Sequence, residues 1–300
     1  MKIPVKALRD SSVSTGGKVE KSQYEESRMR RIVRQAVLKY APRTGRELLR
    51  IWRHQVLMRM PPKPTPFGFQ FSPPHLADGG YESGEIELFL ETLENVSVCI
   101  DIGANAGLYS CLAASRGKQV VAVEPLATNL ARLYRNLFLN KFLDVEVYPL
   151  GLSSKPGLLP IYGVHLTASF VRGWAKAKEA RYSIVPVTTL DILAASRFEG
   201  LPMLIKIDVE GFELEVLRGA ERLLSMTPKP IWLVEIVLTE QIPGGMNRKF
   251  KETFQLFWDH GYETKVADRD RRPVRKEDVD RWVDAGSRDF GSYNYLFVKA

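Results

Sequence analysis

The chain has 300 residues, 45% of them apolar, with two cysteines and a formal net charge of +8. That length allows one large core or two small ones, and no apolar run reaches the roughly 20 residues that a membrane-spanning helix needs. The opening MKIPVKALRDSSVSTGGK lacks the apolar middle of a secretory signal, so a cytoplasmic protein is expected.

The charge is unevenly placed. Residues 1–60 carry fifteen Lys/Arg against five Asp/Glu, and the remainder is nearly balanced at −2. The basic character belongs to the N-terminal segment, and nucleic-acid binding by the rest of the chain is not expected.

Residues 1–20 read as a disordered start and 21–60 as a basic helical extension. In the extension Met29, Ile32, Val33, Ala36, Val37 and Tyr40 recur at helical spacing among arginines, and Pro42 and Gly45 divide this helix from a second around Leu48, Leu49 and Trp52. Two roles stay open: a cap packed on the catalytic domain, or peripheral contact through residues 24–60 with the inner membrane surface or an acidic partner. Residues 61–83, rich in Pro and Gly, read as an extended connector, and 84–300 as the catalytic domain, entered by a helical pattern in GEIELFLETLE.

From residue 96 short apolar runs alternate with helical patterns. Strands are predicted at 96–102, 119–124, 145–150, 184–188, 203–208 and 231–236, and helices at 107–116, 127–140, 189–196, 212–225 and 248–260. Strands separated by helices imply right-handed crossovers, hence an α/β fold with a mostly parallel sheet and helices on both faces. Segments 262–268 and 294–300 read as two more strands, an antiparallel edge pair joined by a charged, Arg-rich loop. Cys99 and Cys111 lie in a predicted strand and the helix after it and read as reduced core thiols, although a disulfide between them is conceivable.

The strongest chemical signal is Asp101-Ile-Gly103-Ala-Asn105-Ala-Gly107, between a strand and a helix. Glycines at such a turn permit positive φ and close approach of backbone to ligand. The dinucleotide fingerprint would need a further glycine where Asn105 stands, and Asp101 would repel a pyrophosphate but welcome the ammonium of an amino-acid ligand. The turn thus favours S-adenosylmethionine over NAD. Glu124, ending the next strand, is spaced to accept hydrogen bonds from both ribose hydroxyls; by itself it would read as a solvated strand-end acid. Ser153 is placed to approach the adenine edge, or is a plain turn serine.

A second block, LIKIDVEGFELEVLRGAERLL (204–224), crowds Lys206, Asp208 and Glu210 at the end of a central strand. Charges there are costly unless paired or employed, so the cluster is a candidate reaction site; the bland reading is a Lys–Asp pair plus a helix-capping acid.

With these blocks in view, the sequence resembles the FkbM family of methyltransferases, through FGFQF at 67–71, GGYESGEIELF at 79–89, CIDIGANAGLYS at 99–110, VVAVEPLATNLARLYRNLFLN at 120–140, VTTLDIL at 187–193 and KIDVEGFELEVLRGA at 206–220. The resemblance implies a Rossmann-like class I methyltransferase fold, S-adenosyl-L-methionine as donor, and O-methylation of a hydroxyl on a sugar, glycan precursor or secondary metabolite. Residues 1–60 lie outside it.

Methyl transfer to a hydroxyl calls for a general base. Asp208 and Glu210 are the first candidates; His165, in the insert GLLPIYGVHLTASF (157–170), comes next, although a lone loop histidine is usually a surface residue, and Glu235 and His260 rank lower. No metal-ligand spacing is evident. Two rival readings remain: an NAD(P) enzyme, and a catalytically degenerate module that works through its basic helices.

Overall fold

A computed structural model describes residues 60–300 apart from 74, 76, 79–82, 164–166 and 177–181. The disordered start, the basic extension and His165 lie outside the described residues. Within 61–83, β1 (Lys63–Pro64) and β2 (Gln70–Phe71) form a small hairpin. Phe69 and Phe71 are buried, and the amides of Asn136 and Asn140 bind the backbone of Ser72 and Gln70.

The elements that follow are α1 (Ser83–Leu93), β3 (Val98–Ile102), α2 (Leu108–Ser115), β4 (Gln119–Val123), α3 (Ala127–Leu139), β5 (Glu146–Tyr148), β6 (Gly151–Leu152), β7 (Gly157–Tyr162) and β8 (Tyr182–Thr188). Then come β9 (Met203–Ile207), α4 (Glu213–Arg218), α5 (Glu221–Leu224), β10 (Ile231–Glu235), α6 (Phe250–Asp259), β11 (Tyr262–Val266), β12 (Pro273–Val274), α7 (Lys276–Ala285) and β13 (Asn294–Lys299).

The main sheet runs β12-β11-β13-β10-β9-β3-β4-β5. β10, β9, β3, β4 and β5 pair in parallel, whereas β13 is antiparallel to both of its neighbours, β10 and β11. The order reverses between β3 and β9, the switch point where an open α/β sheet leaves a crevice beyond its strand ends. Alternation along the strands splits the core: Met203, Ile205 and Ile207 face one buried cluster, while Leu204 and Lys206 join Cys99 and Asp101 on the opposite face, toward α1 and α2. Cys99 and Cys111 are both free and buried.

Several predicted elements take another form. Strand 184–188 does not enter the main sheet; β8 pairs in parallel with β6 and antiparallel with β7 in a separate three-stranded sheet. Parallel pairing needs a long crossover, and the β7–β8 return closes instead as an antiparallel pair. The predicted helix 212–225 breaks into α4 and α5 at Gly219, where a Cβ would lie 2.3 Å from the Ser153 carbonyl oxygen. Asp191 restarts it by accepting the backbone N–H groups of Arg222 and Leu223. The Arg-rich loop contains α7, whose Val279 and Trp282 are buried and which Gly286 ends at φ +65°. Among the described residues no helix is long and apolar enough to cross a membrane.

Candidate functional site

The crevice at the switch point is a cleft of about 1060 Å³, counting the space open at its mouth. One end is made by the turns after β3 and β4. Gly103 (φ +83°) passes so close to the neighbouring turn that a Cβ there would sit 1.9 Å from the Asp208 carbonyl oxygen, and one on Gly107 (φ +87°) would sit 2.4 Å from Leu133 Cδ1. These two glycines are dictated by space as well as by conformation.

Between them Asn105, at φ +51°, donates its backbone N–H to Glu124 Oε2 at 2.9 Å, and Leu126 donates to Glu124 Oε1 at 2.8 Å. Glu124 is 4% exposed and lines the cleft. Burial pushes its carboxyl up to about 7, and the two backbone N–H groups oppose that rise by favouring the charged form. The Asn129 side chain bonds the same carboxylate, so three of its roughly four acceptor sites are occupied within the protein and about one is left for a ligand. The Asn105 side-chain oxygen, also in the cleft wall, is buried without a hydrogen-bond partner. A buried orphan acceptor beside a buried carboxylate fits a ligand that brings hydroxyl or amino donors.

At the other end stand Lys206, Asp208, Glu210 and Glu235. Lys206, 2% exposed, puts its Nζ 3.0 Å from Asp208 Oδ2, 3.8 Å from Glu85 Oε1 and 4.3 Å from the centre of the Tyr109 ring. Tyr109 in turn donates its hydroxyl to Glu85 Oε1 at 2.7 Å. Glu235 ends β10 one residue past the Val234–Ile207 pairing, which sets it beside Asp208 on the adjacent strand end. Burial, then the charges of Asp208 and Glu210, push its carboxyl well above the usual range.

Glu210 sits at φ +57° and accepts the Trp174 indole N–H at 2.6 Å. Burial and the charge of Asp208 push it up to about 8. Glu213, wholly buried, accepts the Gly211 N–H and is pushed by burial up to about 7.

The predicted residues therefore separate. Gly103, Asn105, Glu124, Asp208 and Glu210 all line one cleft, and Gly107 closes the turn behind it. Asp101 stands behind the wall: it is 2% exposed and accepts the Ser110 hydroxyl at 2.6 Å. Ser153 also stands outside the wall; its backbone N–H is spent on Thr188, and Gly151 and Leu152 take the place beside the cleft. His260 is remote from the cleft, on Leu256 and Glu221 at the end of α6.

The insert supplies Ile161, Ala168 and Phe170 to the wall. Sequence reasoning missed Glu85, Tyr109 and Trp174. Glu85 and Tyr109 are reached through the α1–α2 packing, visible only as two helices that share one sheet face.

The "Methyltransferase FkbM domain" matches residues 101–264. Hexuronic acid methyltransferase AglP of Haloferax volcanii is 32% identical over 146 residues, which cover 48% of this chain and 58% of that protein. Methyltransferase sdnD of Sordaria araneosa is 32% identical over 41% of this chain and 60% of that one. Both matches span less than two thirds of the relative's length. Among solved structures, the methyltransferase FkbM from Methylobacillus flagellatus is 20% identical, with a TM-score of 0.41 over 68% of this chain and 44% of that chain. With a domain match that takes in more than half of the sequence, the chain belongs to the FkbM methyltransferase family.

Proposed function

We propose that the protein is an S-adenosyl-L-methionine-dependent O-methyltransferase whose acceptor is a hydroxyl of a sugar, a glycan precursor or a secondary metabolite. The observation that carries this reading is the pairing of Glu124, held in the cleft wall by two backbone N–H groups and the Asn129 side chain, with the unpartnered buried oxygen of Asn105. Together they suit a nucleoside with a free ribose diol. The glycine turn brings backbone close to the same place, and the middle glycine that a dinucleotide fingerprint would set against a pyrophosphate is Asn105 here. The matched names, a hexuronic acid methyltransferase among them, support a sugar-like acceptor.

When bound, the donor supplies an electrophilic methyl group on a sulfonium. The chain's work is to orient the partners and to take a proton. Good orientation alone can contribute an effective molarity of about 10⁵–10⁸ M. Asp208 is the residue assigned to proton removal: it lines the cleft, keeps 28% of its side chain exposed, and is steadied by Lys206 at 3.0 Å. A general base of this kind contributes about 10²–10⁴-fold.

The test is calorimetry with S-adenosylhomocysteine against NAD. Wild-type protein should bind the former and not the latter, and Glu124→Ala should weaken that binding by about 10–100-fold, the loss of hydrogen bonds to a charged acceptor. Folded protein that takes up no S-adenosylhomocysteine would overturn the assignment. With labelled donor and cell glycan and lipid extracts, Asp208→Asn should lose turnover by about 10²-fold or more while its melting temperature stays near wild type.

A further inference from the structure

The segment between β7 and β8 meets the turn after β9 through three contacts. Ser169 Oγ donates to the Glu210 carbonyl oxygen at 2.6 Å, the Phe170 ring packs against Phe212 with centroids 5.0 Å apart, and Trp174 Nε1 donates to Glu210 Oε2 at 2.6 Å. Trp174 is 1% exposed, although it belongs to a stretch with little regular structure. Its ring fills the space over Gly211, where a Cβ would lie 2.3 Å from Trp174 Cζ3.

Glu210 holds a left-handed backbone conformation, φ +57°, which costs a non-glycine residue about 1 kcal/mol or more and persists only where the surroundings fix it. Ser169 and Trp174 are those surroundings. The same segment presents Ala168 and Phe170 to the cleft, and Phe170 lies against Gly151 so closely that a Cβ on the glycine would be 2.5 Å from its ring.

We propose that Trp174 is a positioning residue whose indole N–H and ring latch residues 167–176 onto Glu210 and Gly211, and thereby set the wall that Ala168 and Phe170 turn toward the ligand. The latch gives the Glu210 side chain a task other than proton abstraction, which falls to Asp208. If Trp174 merely filled space, its ring would matter and its N–H would not.

Limited trypsin digestion of the full chain, with mass spectrometry of cuts after Arg172 and Lys176, separates the two. Trp174→Phe keeps a ring over Gly211 and removes the donor. Cleavage should rise about tenfold, since one hydrogen bond to a carboxylate is worth roughly that factor in local opening. Glu210→Ala should match it, and Glu210→Gln, whose amide oxygen still accepts the indole N–H, should stay within about twofold of wild type.

The double variant Trp174→Phe/Glu210→Ala should be cut no faster than either single one. Trp174→Phe cut at the wild-type rate, or Glu210→Gln cut as fast as Glu210→Ala, overturns the latch. If Trp174→Phe fails to fold by circular dichroism, the two Glu210 variants decide alone. The digestion reads the free protein, so failure of wild type to bind S-adenosylhomocysteine would remove the cofactor reading and leave the latch result standing.

Discussion

The two ends of the cleft are built by opposite strategies. The end proposed above to hold the donor, called the donor end, runs from Gly103 to Asn129, one short stretch of chain in which backbone N–H groups fix a single carboxylate and glycines make room. The end where Asp208 is proposed to serve the acceptor, called the acceptor end, is gathered from α1, α2, β9, β10, the insert and β13, with side chains holding side chains: Glu85 receives both Tyr109 and Asn294, and Lys206 stands among Glu85, Asp101 and Asp208. A site made of main chain tolerates changes of side chain around it. One made of buried charges depends on each of them, and the largest effects should appear there.

Lys206→Met is the most direct way to break that contrast. It removes the cation from a buried group of carboxylates and should destabilise the protein by about 3–5 kcal/mol, as removal of one partner of a buried ion pair does. Chemical denaturation measures it. A loss below about 1 kcal/mol would show that the carboxylates neutralise themselves by taking up protons, a route open to Asp101 and Glu235, both already pushed upward by burial.

At the donor end the sensitive positions are glycines. Gly103→Ala forces a Cβ against the Asp208 carbonyl oxygen, 1.9 Å away on unrelaxed backbone, at positive φ. Overpacking and backbone strain together should cost about 2–4 kcal/mol. Gly157→Ala on β7, where nothing lies within 4 Å of the added carbon, is the control and should stay within about 0.5 kcal/mol. Equal stability of the two variants would mean that the turns after β3 and β9 move apart freely, and would remove steric fit as the reason for the glycine.

These differences also explain what the sequence disclosed. The donor end was readable because its logic is local: a strand, a glycine turn, and a carboxylate ending the next strand lie within 22 residues, Gly103 to Glu124. Asp208 and Glu210 were readable as an unusual crowd of charge after an apolar strand. The partners that decide their roles were not, because Trp174 and Glu210 are 36 positions apart and Glu85 and Asn294 are 209 apart. No periodicity links such residues.

The partners of Asp101 were unreadable for a related reason. Alternation along β3 puts it on the face with Cys99 and Lys206, where Ser110 of α2 reaches it first. In the fold itself, the parallel strands followed from their apolar runs. β8 and α7 did not, since an apolar strand does not say which sheet it joins and a helix of ten residues with six charges resembles a polar loop.

Proton linkage distinguishes the two ends most finely. Glu124 and Glu213 at about 7 and Glu210 at about 8 all sit above the ordinary glutamate value near 4.5. Between these limits the folded protein holds protons that the unfolded chain has released. The contribution of these three groups to stability is therefore fully present below about 4.5 and is lost as pH rises to about 8. Thermal melts from pH 5 to 8 should show that fall.

Binding of S-adenosylhomocysteine should run the other way, because the ribose hydroxyls favour an ionised Glu124: affinity should rise as pH climbs through about 7, by at most tenfold per unit for one linked proton. Glu124→Gln removes the titrating group and should flatten that rise, whereas Glu210→Gln, at the acceptor end, should leave it in place. If Glu210→Gln flattened it instead, the charge that the nucleoside senses would belong to the acceptor end, and the division of labour between the two turns would be reversed.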